Sequence, residues 1–218
     1  MLSGNGVITT WNGISDEGRL DFYQWHIHEH MPERISIPGF LRGRRYRASD
    51  ENTFPEFFTL YEVEEFAVLK SEQYLARLNA PTPWTRRATA YFQNTSRGLG
   101  HVIFSTGPGP GGALATIRFN STQSDKETSK NLSARLADLS KGPLLCGLHL
   151  CRADEEASQV KTEESKGRTD ISTPPKWVIL LEGCTTDSLS HPTSALLDQQ
   201  YVTDAIVGRY LLEYVRGG

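Results

Sequence analysis

The chain has 218 residues, of which 38% are hydrophobic, 22% charged and 10% aromatic, a balance that suits one domain or two small ones. Its 23 Lys and Arg against 26 Asp and Glu leave a formal net charge of −3, without the basic excess of a nucleic-acid binder. No apolar run approaches the roughly 18–20 residues of a membrane span, so neither nucleic acid nor membrane is expected as a partner. The start, Met1-Leu-Ser-Gly-Asn, lacks the positive stretch and apolar core of a secretory leader. The cysteines are Cys146, Cys151 and Cys184, none in a C-x-x-C spacing. Such an odd, sparse set is expected of reduced thiols in a cytoplasmic protein, not of a disulfide framework.

Along the chain, Gly6–Trp11 is a short β-branched run closed by Asn12-Gly13, and Ser15 or Asp16 can cap the helix after it. From Asp16 to about Met31, Leu20, Tyr23, Ile27 and Met31 recur at helical spacing and define the expected core stripe. Pro32 and Ile37-Pro38-Gly39 limit this helix. Phe40–Ala48 and Phe57–Val63 read as strands joined by the polar stretch from Ser49 to Asn52. Phe66–Leu78 predicts a second helix with Ala67, Leu69, Tyr74, Leu75 and Leu78 on its apolar side, and a closing strand falls between Tyr91 and Phe104.

The run Ser105–Gly112 is dominated by Gly and Pro and reads as a connector. Its prolines remove the amide donors a phosphate cradle needs, so it is not a phosphate loop. Beyond it the same order returns. Ala113–Phe119 is a strand, Asp125–Leu139 a helix, Leu144–Arg152 and Trp177–Glu182 strands, Ser194–Ile206 a helix and Val207–Val215 a strand. Residues 154–176, polar and ending in Pro174-Pro175, are expected as a long mobile hairpin loop. A tolerated surface insertion is preferred there to a lid.

Two β-α-β-β-α-β units predict an α+β fold of two ferredoxin-like halves, residues 1–106 and 113–218, joined by the linker 107–112. A four-stranded sheet with helices on one face must bury the other. Packing the halves sheet to sheet does so and gives a single-chain, pseudo-dimeric α/β barrel, expected as a monomer with pseudo-two-fold symmetry or as a homodimer.

Chemistry concentrates in residues 23–34, where His26, His28 and His30 are half of the chain's 6 histidines. An advance of about 100° per residue puts His30 on the inward side, His26 at its margin and His28 facing away, with Trp25 off the core stripe. His26 and His30 have the i, i+4 spacing of paired metal ligands, with Glu29, Glu33 or His101 as possible thirds, but the H-E-x-x-H order is absent. The preferred reading leaves the site without metal and makes His30 an acid/base, since imidazole titrates near physiological pH. On strand 40–48, alternation groups Arg42 and Arg44 with Tyr46, opposite Arg45 and Arg47. Whichever face meets the helices brings a guanidinium toward His30, to bind a carboxylate or steady an enolate, unless that arginine is neutralised inside the barrel by Glu62 or another acid. Trp11, Phe22, Tyr23, Phe58, Tyr61, Tyr74 and Trp84 are aromatic candidates for an apolar cleft. Trp84, in a Pro-fixed loop, is the one expected to close it.

These residues resemble a known family. His26, His30-Met31-Pro32 and the stretch Ile37-Pro38-Gly39 to Arg45-Tyr46 are similar to the motif of EthD-like proteins in the dimeric α/β-barrel superfamily. The resemblance covers roughly residues 5–104. It implies that His30 takes the family histidine, Pro32 its proline and Arg45-Tyr46 its strand pair. It also implies one pocket per chain, with the second half, whose first helix has no histidine, a degenerate partner completing the barrel. The superfamily includes lactone isomerases, polyketide cyclases, cofactor-free quinone-forming monooxygenases and haem-handling enzymes. The expected function is cofactor-independent isomerase, lyase or cyclase chemistry on a small apolar carbonyl or phenol compound. In it His30 moves the proton, His26 or Glu29 tunes it, and Tyr46 with Arg42, Arg44 or Arg45 stabilises negative charge, while Tyr23, Tyr61 and Trp84 bind substrate. The alternatives are a non-catalytic binding protein of the same fold and a haem- or metal-dependent oxygenase using His26 or His30.

Overall fold

β1 (Gly6–Ile14) lies between β3 (Phe57–Val63) and β4 (Phe92–Thr106), and β2 (Phe40–Ala48) pairs with the far side of β3. The computed structural model describes residues 1–217. In the second half β5 (Ala113–Ser121) stands next to β8 (Trp177–Gly183), which pairs in turn with β6 (Leu145–Ala153). The long last strands cross between the halves. β4 reaches β6, and β9 (Val202–Gly217) runs between β2 and β5. Eight antiparallel strands among the described residues therefore close into a barrel, and a ninth, the short β7 (Ile171–Ser172), lies parallel to β4 outside the ring. Closure leaves the barrel without the open edges at which sheets aggregate.

The registers make the two halves correspond strand for strand. Glu62 faces Val7 and Arg42, as Glu182 faces Leu114 and Gly147. Leu60 faces Thr9 and Arg44, as Leu180 faces Thr116 and His149. Phe58 faces Trp11 and Tyr46, as Val178 faces Arg118 and Cys151. These alternating positions fill the barrel, in which Arg44 is fully buried between two carboxylates. Its Nη2 lies 2.9 Å from Glu62 Oε1, and its Nη1 donates to Glu182 Oε2 and to the Tyr46 hydroxyl, each at 2.7 Å. Arg42 makes a bidentate pair with Glu62 at 2.8 Å, the Ser3 amide donates to Glu62, and the Gly111 amide donates to Glu182. The N-terminal segment and the 107–112 connector thus close one end of the barrel over its charges. Burial works against ionisation of Glu182, yet His149 and Arg44 outweigh it and hold the carboxyl down to about 2.

On the outer face, the first helical segment, α1, runs over residues 16–35 in four parts. A 3₁₀ turn (Asp16–Gly18) leads into Arg19–Trp25, then a π turn (His26–His30) and a last α turn (Met31–Ile35). Pro32 does not end it. A proline inside a helix takes the donor from the carbonyl four residues back, and the wider π turn before it accommodates that loss. The expected core stripe is corrected accordingly. Leu20 is 73% exposed, while Phe22, Trp25, His26, Met31, Arg34 and Ile35 are buried. Gly39, at φ +89°, turns the chain into β2. Gly43 lets α1 close on the sheet, since a Cβ there would lie 3.0 Å from Met31 Cγ and 2.9 Å from Tyr61 Cε1.

The expected helix 66–78 is two pieces, a 3₁₀ turn (Phe66–Lys70) and α2 (Glu72–Asn79), because the Ser71 hydroxyl caps the second by accepting from the Tyr74 amide. A further helix, α3 (Pro83–Thr89), starts at Thr82, with proline at its first position where no amide donor is missed. In the second half α4 (Asp125–Leu139) packs Leu132 and Leu136 into an apolar cluster, and α6 (Ser190–Leu197) is shorter than expected because β9 begins at Val202. Residues 154–176 are not a projecting hairpin. They form α5 (Glu155–Ser158), then cross onto the first half, where the Glu164 amide donates to Leu78 O and β7 pairs with Thr95 and Ser96 of β4.

Replacing Arg44 with Met leaves Glu62 and Glu182 facing each other without the buried cation that separates them. The variant is expected to lose about 3–5 kcal/mol of stability in urea denaturation. A loss below about 1 kcal/mol would show that the network does not brace the barrel.

Candidate active site

The outer face of the first sheet and the π turn of α1 enclose a cavity of about 70 Å³. The sheet contributes Ile8, Thr59, Tyr61 and Arg97. His26, His30 and Arg34 come down from α1, Tyr74 and Leu78 come from α2, and Glu164, Arg168 and Ile171 of the 154–176 segment close the top. Three polar atoms here are buried without a hydrogen-bond partner among the described residues: His30 Nδ1, the Tyr61 hydroxyl and Arg34 Nη1. Orphaned groups of this kind are costly unless a ligand or water completes them.

Each of them is held in place. The His30 ring lies against Trp25, tilted by 35° with 4.2 Å between centroids, and Trp25 is fixed by its Nε1 donating to Thr85 Oγ1 at 3.2 Å. Arg34, 3% exposed, directs Nη2 to the Glu164 carboxylate and leaves Nη1 free. Arg97 donates to the Tyr74 hydroxyl at 2.6 Å. Arg45 donates to His26 Nδ1 at 3.4 Å, so His26 carries its proton on Nε2.

Burial, followed by the charges of Arg34, Arg97 and Arg77, holds His30 well below the ordinary imidazole range. Burial, His30 and the charges of Arg45 and Arg34 do the same to His26. Both are neutral at pH 7. Burial pushes the Tyr61 phenol upward, so it stays a hydrogen-bond donor. The cavity therefore presents one neutral base, one phenol and one free guanidinium edge.

Of the sequence candidates, the structure brings His26, His30, Phe22, Tyr61 and Tyr74 together. The strand pleat turns Arg45 toward the helices but behind His26, where it stacks on Tyr23 and bonds Glu213. The expectation that Tyr46, Arg42 and Arg44 stand beside His30 is corrected, because they occupy the barrel face of β2. Glu29 is no relay, since its carboxylate accepts from Thr82 Oγ1 (2.5 Å) and Thr85 Oγ1 (3.1 Å) and ties α1 to α3. Trp84 does not close the cleft. It lies outside the cavity, donating to Asp21, and Tyr23 points to Glu213. The residues missed are Arg34, Arg97, Glu164 and Trp25. Arg34 was legible in principle, four residues beyond His30.

The 154–176 segment is a cover. Arg34 pairs with Glu164. Arg168 stacks over Phe92 at 5.0 Å and bonds Asp170 and Thr95, and Ile171 points into the cavity. Beside the cavity lies an open cleft of about 780 Å³, lined by the same segment and sharing Leu78, Arg97, Glu164, Arg168 and Ile171 with it.

No family model and no curated protein sequence matches this chain. Solved structures do. An anthrone oxidase-like protein superposes with a TM-score of 0.66 at 8% identity, over 97% of this chain and 92% of that one. A candidate monooxygenase from Fusobacterium nucleatum does so at 0.59 and 8%, over 99% and 96%. A heme-binding protein from Thermus thermophilus follows at 0.50 and 11%, over 95% and 91%. At such identities the likeness establishes the fold, a ferredoxin-like α/β barrel of the dimeric type realised in one chain.

Two outcomes follow for the site. The unfolded chain binds protons at His26 and His30 below about pH 6.5 that the native chain refuses, so stability is lost as pH falls through that value. Urea midpoints should drop between pH 7.5 and 5, with a smaller drop in His26→Gln; a flat profile would place charged histidines in the cavity. Replacing Glu164 with Gln should free the cover, raising limited-proteolysis rates within residues 158–173 by about tenfold, the effect of weakening one buried charge-assisted pair.

Proposed function

We propose that this chain is an enzyme that moves a proton on a small carbonyl or phenol compound bound under the cover, with no cofactor in the step. The observation that carries this reading is the convergence of His30 Nδ1, Tyr61 OH and Arg34 Nη1, all unpartnered, on one cavity. His30 takes a proton from a carbon next to the carbonyl, or from the phenol. The electron pair passes to the substrate oxygen, which accepts from Tyr61 and Arg34. Returned to a different carbon, the same proton completes an isomerisation without any change in oxidation state.

The charges favour the transition state over the ground state. The arginines that disfavour imidazolium in the resting site also stabilise the enolate or phenolate, so the ion pair forms together. The cavity is far below the roughly 300–1,000 Å³ that holds most small organic ligands, so the cover lifts to admit substrate. The open cleft beside it is where that substrate first docks.

The residues favour the cofactor-free reading over the haem alternative, because the larger cleft has no His, Cys or Met in its wall. His26 Nδ1 faces a guanidinium, and among the described residues no group of three or more His, Cys, Asp and Glu could hold a metal ion. The EthD-like motif supports the proton-transfer reading, with Tyr61 and Arg34 in the electrostatic role that Tyr46 and the β2 arginines were expected to fill.

Exchange of acidic C–H protons into D₂O, followed by NMR across a panel of 1,3-dicarbonyls and anthrones, tests this directly. The wild type should catalyse exchange, and His30→Ala should lose about 10²–10⁴-fold. Tyr61→Phe and Arg34→Met should each lose about 10²–10³-fold, mainly in kcat. Exchange that survives His30→Ala would overturn the assignment, and tight binding of a panel member without exchange would establish a carrier instead.

A further inference from the structure

The end of the barrel opposite the N-terminal segment holds a second, separate recess of about 380 Å³. Its floor is Arg118 of β5, 6% exposed, with the guanidinium lying 4.6 Å from the centroid of the Trp11 ring. Every other arginine buried to this degree, Arg34, Arg44 and Arg45, has a carboxylate partner. Arg118 has none among the described residues, and its Nε is buried without an acceptor. Burial accordingly lowers its pKa. One carboxylate, Asp170, stands in the wall of the recess, and it is already engaged by Arg168 and Thr95.

The pseudo-symmetry sharpens the contrast. Arg118 occupies in the second half the register position that Trp11 occupies in the first, so no structural charge pair is repeated there. Around the guanidinium the wall is part polar, with Asn94, Ser96 and Ser172, and part apolar, with Phe54, Pro55 and Ile206. Phe54 and Ile206 are 60% and 44% exposed at the rim. A buried cation at the base of a recess with an apolar rim matches an amphiphilic anion: a charged head inward and a carbon body outward.

We propose that this barrel mouth is a binding site for a small organic monocarboxylate, whose carboxylate pairs with Arg118 and whose apolar body packs on Phe54, Pro55 and Ile206. The site shares none of the residues placed around His30, and shares Ser172 and Thr173 with the open cleft. It adjoins the cover, because Asp170, Ser172 and Thr173 form one of its walls.

Isothermal titration of the full chain with sodium benzoate, inorganic phosphate and benzyl alcohol tests the proposal. Benzoate should bind at one site, while phosphate, which lacks the apolar body, and benzyl alcohol, which lacks the charge, should each bind at least tenfold more weakly. Arg118→Gln should weaken benzoate by about 10–100-fold, the loss of a charge-assisted pair. Ile206→Trp, which fills the rim from a half-exposed position and leaves the interior alone, should weaken it similarly and decides the matter should Arg118→Gln fail to fold. No benzoate heat, benzoate affinity unchanged by these variants, or phosphate binding as tightly as benzoate would overturn it.

Discussion

A sheet with helices on one face has a second face that must leave water, and this constraint organises the whole molecule. Each half supplies four main strands and cannot cover its own inner face. The long strands β4 and β9 solve this by crossing into the opposite half, so the two sheets become one closed ring. Closure puts charges inside. Glu62 and Glu182 come to equivalent places near one end, and Arg44 stands between them. Arg44 of β2 pairs with the equivalent carboxylates of both halves, and His149 of β6 adds a second partner to Glu182, so the pairing of Arg44 with Glu182 ties one half to the other. At this end the barrel interior is committed to structure, and the candidate site lies on the outer face beneath α1.

On that outer face the decisive element is the π turn at His26–His30. It inserts the extra backbone that Pro32 requires and shifts the phase of the helix. With the shift, Trp25, His26, Arg34 and the His30 ring all come onto the sheet side, where an uninterrupted α-helix would have turned Trp25 away. π turns cost hydrogen-bond geometry and recur at functional sites, where the displaced side chains are the return. In this chain the displaced side chains are the ones that line the cavity.

The order of elements was legible because it rests on local signals: β-branched runs, Gly/Pro punctuation, and apolar periodicity in Asp125–Leu139. So was the placing of His26 and His30 toward the same side of their helix. What escaped was phase and long-range placement. The helical wheel assumed a uniform advance and set Leu20 in the core, where the structure leaves it in solvent. The pleat of β2 divides its arginines correctly into two sets, but nothing local says which set faces the helices. The polar segment 154–176 has the composition of a loose insertion. Its role arises from contacts with residues far away in sequence, as when Glu164 reaches Arg34 and β7 reaches Thr95. Composition reports how a segment is solvated when alone. It is silent on whether a buried cation elsewhere needs a partner.

That need links the cover to the site. Arg34 is buried beside two neutral histidines and in the field of Arg97, and an isolated cation there would carry a heavy desolvation cost. Glu164 supplies the missing negative charge from the cover, so the closed form is electrostatically complete before any substrate arrives. If the cover lifts, as the proposed function requires, water solvates Arg34 in place of Glu164. In the proposed reaction, a developing enolate is a third way to satisfy the same guanidinium. Nη1, the edge Glu164 leaves free, is the one that can take it without the cover letting go. On the proposed reading, the carboxylate that closes the site and the oxyanion that would form within it share one arginine, each on its own nitrogen, and the net charge of the closed cavity stays the same as the proton moves from substrate to His30.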